Sequence, residues 1–186
     1  MTARGPILIV FGGLPGVGKT SLAKAVAARS SAVYLRIDTI EQALRSSEML
    51  KADVGTAGYL VAYRLAEENL RMGRSVVADS VNPLRVTRDA WISVAQKTST
   101  IAVEIEVTCS DLPVHRRRLE TRRSDIAGLA SPSWQAVLDR NYEEWVRPHI
   151  VIDTAGKSIE DAIDELFRQP CLMRELGEDM PADPGH

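Results

Sequence analysis

Few residues in this chain are suited to metal or disulfide chemistry. It has two cysteines and three histidines in 186 residues. Cys109 and Cys171 form no CxxC pair and no metal-ligand spacing, and they are expected to be reduced packing residues. His115, His149 and His186 make neither HxH nor HExxH, which argues against a protein-bound zinc. No apolar run approaches the roughly 20 residues of a membrane span. The run Ile7–Phe11 stops at Gly12–Gly13, short of a signal peptide and without a cleavage site. A soluble, cytoplasmic protein is therefore expected. Charge of one sign is also lacking: the net is −2, so nothing pulls the whole chain toward nucleic acid or an anionic membrane.

What is present is ordinary globular material, 45% hydrophobic and 26% charged, of a length that suits one domain. Five apolar, β-branched segments are expected as strands: Ile7–Phe11, Val33–Ile37, Ser75–Asp79, Ile101–Val107 and Ile150–Asp153. Between them helical spacing runs through Ser21–Arg29, Ile40–Met49, Thr56–Met72, Val86–Gln96, Leu112–Arg123, Ser133–Val146 and Ile159–Phe167. This alternation predicts an α/β fold with a parallel sheet and right-handed crossovers. Glu104 and Glu106 alternate in an otherwise apolar strand, so that strand is expected to be less completely covered or near an edge. The stripe Trp134, Leu138, Tyr142 and Trp145 is expected in the core. Glu160, Asp161, Asp164 and Glu165 read as a solvated helix face. The region after Gln169, with three prolines and little periodicity, is expected to be a loosely ordered tail over residues 170–186.

The strongest signal is Gly13-Leu14-Pro15-Gly16-Val17-Gly18-Lys19-Thr20, a full GxxxxGK[ST] or Walker A match. An apolar strand enters it and an Ala-rich helical run starting at Ser21 leaves it, the order a P-loop needs. Glycines let the backbone approach phosphates closely. Successive N–H groups form an anion nest, and the helix N-terminus adds partial positive charge. Lys19 suits the β- and γ-phosphates, and the Thr20 hydroxyl suits Mg²⁺. Gly13, Leu14, Pro15, Gly16, Val17, Gly18, Lys19, Thr20 and Ser21 are thus the candidate nucleotide-binding set.

Asp79 ends the third strand, on the edge where parallel sheets bind ligands. P-loop proteins keep a carboxylate there that acts on Mg²⁺ directly or through water; a turn-forming Asp is the plainer alternative. The next residue is Ser80, not the Glu that motor ATPases use to activate water, and no guanine-reading NKxD occurs. ATP·Mg²⁺ is expected.

Gly12–Ala25, Leu35-Arg36-Ile37-Asp38, Ala78–Arg88 and the Arg-rich stretch 118–123 together resemble the small P-loop kinases. That group includes gluconate kinase, adenylylsulfate kinase, chloramphenicol phosphotransferase and the kinase domain of polynucleotide kinases. The resemblance covers roughly residues 6–168. It implies a five-stranded parallel sheet of order 2-3-1-4-5 with a helical lid near 118–132, within a kinase domain over 1–169. It also implies that Asp38 faces the acceptor hydroxyl as a proton acceptor, although an Asp here also suits a helix N-cap. Where polynucleotide kinases carry an Arg three residues later, this chain has Glu41, a poor holder of a nucleic-acid phosphate.

His115–Arg123 holds five arginines and one glutamate. Leu112 and Leu119 are expected on one stripe, with Arg118 and Arg122 sharing a face beside it. In the resembled kinases such a pair meets the ATP phosphates, for which the planar guanidinium is suited. Ser124–Pro132 reads as the moving part of the lid. Asn82, Arg85 and Arg88 are candidates for the acceptor or phosphates, or for surface roles. Tyr59 and Tyr63 suit a pocket wall or the core. Asp153–Gly156 is where related kinases cradle adenine. The implied activity is transfer of the ATP γ-phosphate to a hydroxyl of a small-molecule acceptor, with Lys19, Asp38, Arg118 and Arg122 as catalytic groups and Thr20 and Asp79 at the metal. A polynucleotide 5′-hydroxyl kinase and a non-catalytic ATP-binding switch are the alternatives.

Overall fold

In the computed structural model, residues 5–47 and 53–176 are described. The elements run β1 Ile7–Gly12, α1 Lys19–Ser30, β2 Val33–Arg36, α2 Ile37–Arg45, α3 Ala57–Arg71, β3 Val76–Asp79, α4 Arg85–Thr98, β4 Ile101–Thr108, α5 Leu112–Thr121, α6 Trp134–Leu138, β5 Ile150–Asp153, α7 Ile159–Phe167 and α8 Pro170–Leu176. The five strands form one sheet of order β2-β3-β1-β4-β5, and every pairing is parallel. The residue alternation of β1 divides the core. Ile7, Ile9 and Phe11 join one cluster with Leu22 and Val26 of α1 and Leu166 of α7. Leu8 and Val10 join the other with Ala62 and Ala66 of α3 and Trp91 of α4. Burying each such large side chain stabilises the fold by ~1.5–3 kcal/mol.

Parallel register puts the C-terminal ends of β1, β2 and β3 side by side: Phe11 pairs with Asp79, and Arg36 pairs with Asp79 from the other flank. Polar side chains at these ends therefore converge although they are far apart in sequence.

The structure bears out one expectation with a refinement and corrects three. β4 adjoins the edge strand β5 and is less completely covered than β1 or β3. Its glutamates are covered rather than exposed: Arg147 clamps Glu104 through Nε at 2.8 Å and Nη2 at 2.9 Å. Glu106 accepts from Tyr142 Oη at 2.9 Å and lies 3.3 Å from His149 Nε2. The helix expected over Ser133–Val146 stops at Leu138, and Leu138 is exposed. Beyond it the backbone is recruited sideways, because Arg88 Nη1 and Nη2 donate to the carbonyls of Glu143 and Glu144. Of the expected stripe, Trp145 is buried and Trp134 and Tyr142 are half-buried. α2 begins at Ile37, earlier than its apolar spacing indicated; the end expected at Met49 lies outside the described residues. Finally, residues 170–176 of the expected tail form α8, with Leu172 and Met173 buried. The rest of that tail lies outside the described residues.

Candidate active site

The loop from Gly13 to Gly18 is held to the sheet by its own backbone. Gly13 has φ 137°, and a Cβ there would stand 2.2 Å from the Val107 carbonyl oxygen, so only glycine fits. Its N–H donates to the Val81 carbonyl at 3.0 Å. Gly18, at φ 97°, is the N-cap of α1, and no side chain caps it. The first turn thus presents an open N-terminus and its partial positive charge to whatever occupies the loop.

Two residues hidden from the motif search tie the loop down. His115, buried on α5, has Nε2 2.8 Å from the Pro15 carbonyl oxygen. Thr154, 1% exposed just after β5, has its hydroxyl 2.9 Å from the Val17 carbonyl and 3.0 Å from the Thr108 carbonyl. The buried stripe of α5 is therefore His115 and Leu119; the expected Leu112 is exposed.

A cavity of about 460 Å³ opens over the loop, lined by Gly16, Gly18, Lys19, Thr20, Ser21, Lys24, Arg118, Arg122, Arg123 and Asp125, among others. Arg118 is oriented by three acceptors: Thr154 Oγ1 at 2.9 Å, Thr154 O at 3.2 Å and Lys157 O at 3.3 Å. Arg122 lies just past the end of α5 in an extended conformation. The two arginines do not share one helix face as expected, yet both reach this cavity.

A second cavity of about 620 Å³ lies next to it, lined by Asp38, Glu41, Arg45, Tyr59, Leu84, Thr87 and Arg140, with Gly128–Pro132 on the lid side. Lys19 and Arg122 line both cavities. Asp38 is the second residue of α2, whose N-cap is Arg36, and no side chain caps that helix. The N-cap alternative for Asp38 is thereby removed. Glu41 is turned inward against Gly58, where a Cβ would come within 2.3 Å of its Cγ. Burial raises its pKa, and Arg45 Nη2, 3.0 Å away, opposes that.

Asp79 is 2% exposed. Its Oδ2 accepts from Tyr34 Oη at 2.7 Å, and burial followed by this carboxylate pushes the Tyr34 hydroxyl pKa up. Its Oδ1 lies 4.0 Å from Lys19 Nζ and is buried with no hydrogen-bond partner among the described residues. An orphaned carboxylate oxygen near the P-loop Lys fits a divalent cation. Among the described residues no group of three His, Cys, Asp or Glu could hold a metal alone. The donor set suits Mg²⁺, which takes one or two protein oxygens and leaves the rest to phosphate and water.

Of the other candidates, Asn82 and Arg88 are engaged by the protein itself. Asn82 is buried at φ 47°, donates to the Phe11 carbonyl at 2.8 Å and accepts from Trp91 Nε1 at 3.2 Å. Arg88 spends its guanidinium on carbonyls. Arg85 is exposed and pairs with Asp89. Tyr63 packs edge-on against Trp91, whereas Tyr59 lines the larger cavity. Asp153 binds Ser110 and the Ala155 N–H. Sequence reasoning missed Tyr34 and named Arg36, His115, Asp125 and Thr154 only within longer stretches, without these roles. Only Arg36 carried a local signal, a charged residue closing an apolar strand. No helix among the described residues is long and apolar enough to cross a membrane.

Comparison with known proteins agrees with this kinase-like P-loop fold. The chain is similar to a candidate kinase from Chloroflexus aurantiacus, at 19% identity over 88% of this chain and 95% of that one, with a TM-score of 0.67. It is also similar to the APS kinase CysC of Mycobacterium tuberculosis, solved with AMPPNP and APS (19% identity, 88% and 96% covered, TM-score 0.63). A gluconokinase from Sinorhizobium meliloti 1021 matches at 18% identity over 94% and 93% of the two chains, with a TM-score of 0.59. Likeness at this identity concerns the fold. A search of curated proteins found no match. Residues 8–141, most of the chain, match the family described as an AAA domain, AAA_33, and the chain belongs to that family.

Proposed function

We propose that this protein is an ATP-dependent kinase that transfers the γ-phosphate to a hydroxyl of a small-molecule acceptor. The observation that carries the proposal is the meeting of two cavities at Lys19 and Arg122. One is built for phosphates, with an open helix N-terminus and three arginines. The other has a carboxylate and mixed polar and apolar walls. Kinase chemistry needs such a junction, because catalysis of phosphoryl transfer is mainly positioning and electrostatics.

In this reading Gly13–Ser21 binds the ATP phosphates. Lys19, Arg118 and Arg122 stabilise charge on the transferred group. Asp38 orients the acceptor hydroxyl and takes its proton as the acceptor oxygen bonds to the γ-phosphorus. The bond from that phosphorus to the β–γ bridging oxygen breaks, and ADP leaves. Thr20 and Asp79 would hold Mg²⁺, which supplies charge neutralisation between the phosphates. The lid, residues 118–132, excludes water so that ATP is not spent on hydrolysis. Glu41 inside the larger cavity supports a small acceptor over a polynucleotide end, since a carboxylate there repels a backbone phosphate. The structures solved with AMPPNP and APS and as a gluconokinase are fold relatives that act in this manner by their names, and they support the same class here.

The test is a mass-spectrometric screen of a metabolite extract with ATP·Mg²⁺, Lys19→Ala serving as control. Products 80 Da heavier (one added HPO₃, roughly, as for any phosphoryl transfer) are expected with the wild type and absent with the variant. The same products from both proteins, or tight ATP binding with no product from any extract, would refute the proposal.

A further inference from the structure

Arg36 has no part in the reading above, and its surroundings are unusual. It closes β2, caps α2, and its side chain is 4% exposed. Three carboxylates surround it. Nη1 donates to Asp125 Oδ1 at 2.8 Å, and Asp125 belongs to the lid segment. The other oxygen of Asp125 accepts from Lys24 Nζ at 2.6 Å. Hydrogen bonds from Lys24 and Arg36 hold the Asp125 carboxyl well below the usual carboxylate range. On its opposite edge, Arg36 Nε lies 3.8 Å from Asp79 Oδ2 and 3.9 Å from Asp38 Oδ2. Both gaps exceed a hydrogen bond.

Nε and Nη2 are buried without a hydrogen-bond partner among the described residues. A guanidinium with two orphaned donors is costly and calls for a reason. Arg36 lines neither cavity, so the reason is not direct contact with a ligand there. What the free edge does face is the pair Asp38 and Asp79. A single charge is thus shared between the lid and the two carboxylates at the junction, and of these three the lid carboxylate is the one within hydrogen-bond distance.

We propose that Arg36 is a positioning residue through which lid docking sets the orientation of Asp38 and Asp79. With Asp125 docked, the guanidinium is held back from both carboxylates. When Asp125 leaves, Arg36 closes one of its two gaps into a charge-assisted hydrogen bond. That draws Asp38 away from the larger cavity or draws Asp79 away from the phosphate side. Lid closure and readiness of the carboxylates are then one event. The inference rests on the kinase reading for the roles of Asp38 and Asp79.

The test uses the full chain and needs no acceptor. Trypsin cleavage after Arg122 and Arg123 reports lid undocking in ATP·Mg²⁺. Binding of a fluorescent ATP analogue across a Mg²⁺ titration reports Asp79. Asp125→Asn and Arg36→Gln are each expected to speed cleavage about 2- to 5-fold, the scale of a half-exposed ion pair. The double variant should be cleaved no faster than Asp125→Asn. Asp125→Asn should raise the Mg²⁺ midpoint about 3-fold or more, within the usual range of site coupling, whereas Arg36→Gln and the double variant, with no guanidinium to draw Asp79 away, should not raise it. Binding in EDTA should be unchanged, an arm that a merely structural role would not satisfy. Arg36→Lys, which keeps the charge that holds Asp125, should keep both trypsin resistance and the Mg²⁺ midpoint closer to wild type than Asp125→Asn does. Multiplicative effects in the double variant, or an unmoved Mg²⁺ midpoint in Asp125→Asn, would overturn the proposal. If Arg36→Gln does not fold, the half-exposed Asp125→Asn carries the Mg²⁺ arm alone. A chain that passes these tests yet phosphorylates nothing loses the kinase reading and keeps the lid link. A chain that phosphorylates an acceptor but fails them loses only the link.

Discussion

Thr154 is the most informative position to perturb, because its buried hydroxyl is engaged wholly with other parts of the protein. Its hydroxyl joins the P-loop at Val17, the end of β4 at Thr108 and the guanidinium of Arg118. Thr154→Val keeps the shape and removes the hydroxyl. The Arg118 Nη1 donor loses Thr154 Oγ1, and one of the two facing carbonyls loses its donor, in a spot that is 1% exposed. Unsatisfied buried groups cost ~1–3 kcal/mol each. Arg118 keeps the carbonyls of Thr154 and Lys157 through Nη2, so its loss falls at the low end. A net destabilisation of ~1.5–3 kcal/mol is expected, and at roughly 2–4 °C per kcal/mol the Tm should fall by ~3–12 °C. The second effect is on the nucleotide. Wild-type stability should rise by about 2.7 kcal/mol at 100 times the ATP Kd. In Thr154→Val both the loop and Arg118 lose an anchor, so the ATP Kd should rise ~3- to 10-fold, as one neutral hydrogen bond allows. At the same ATP concentration the ligand-induced shift then shrinks. Thermal melts with and without ATP·Mg²⁺ measure both quantities, and Thr154→Ser, which keeps the hydroxyl, should behave close to wild type. An unchanged Tm together with an unchanged ATP-induced shift in Thr154→Val would refute the reasoning that this hydroxyl couples the loop to Arg118.

Asp38→Asn is expected to leave ATP binding and thermal stability near wild type, because Asp38 does not cap α2, while the transfer rate falls at least ~10²-fold, the scale of acid–base catalysis. A full rate in single-turnover assays would remove Asp38 from the chemistry. Gly58→Ala puts a Cβ 2.3 Å from Glu41 Cγ and forces Glu41 to shift within the larger cavity. The acceptor KM should rise several-fold, on the order of 1 kcal/mol, with the ATP Kd unmoved; an ATP Kd that moves instead would mean that Glu41 does not serve the acceptor side.

The sheet and the P-loop were readable because each depends on local pattern. Apolar β-branched runs between helical spacings specify covered parallel strands, and GxxxxGK[ST] is contiguous. The positions of Asp79 and Asp38 were readable for a related reason: Asp79 closes β3 and Asp38 stands two residues past the end of β2, so the place of each follows once the strand is known. Thr154 and His115 carried no such pattern. Each acts through a carbonyl more than ninety residues away in sequence, Val17 for Thr154 and Pro15 for His115. Only strand register and helix docking bring these atoms together. Asp125 is the same case, since Lys24 and Arg36 reach it from α1 and β2.

β4 shows what the same local rule leaves open. Alternating Glu104 and Glu106 indicated a strand less completely covered or near an edge, and β4 does adjoin the edge strand β5, yet both glutamates meet protein groups. Polar alternation reports only that one face of the strand meets polar groups, and protein can supply these as well as water. Here Arg147, Tyr142 and His149 supply them from the segment that fails to continue α6. That segment is irregular because it must bring Arg147 to Glu104 and offer the Glu143 and Glu144 carbonyls to Arg88. The protein-bound glutamates and the overlong helix therefore share one cause. Both arise because a buried carboxylate is kept only with its partners, and those partners must be delivered by a piece of chain free of helical constraint.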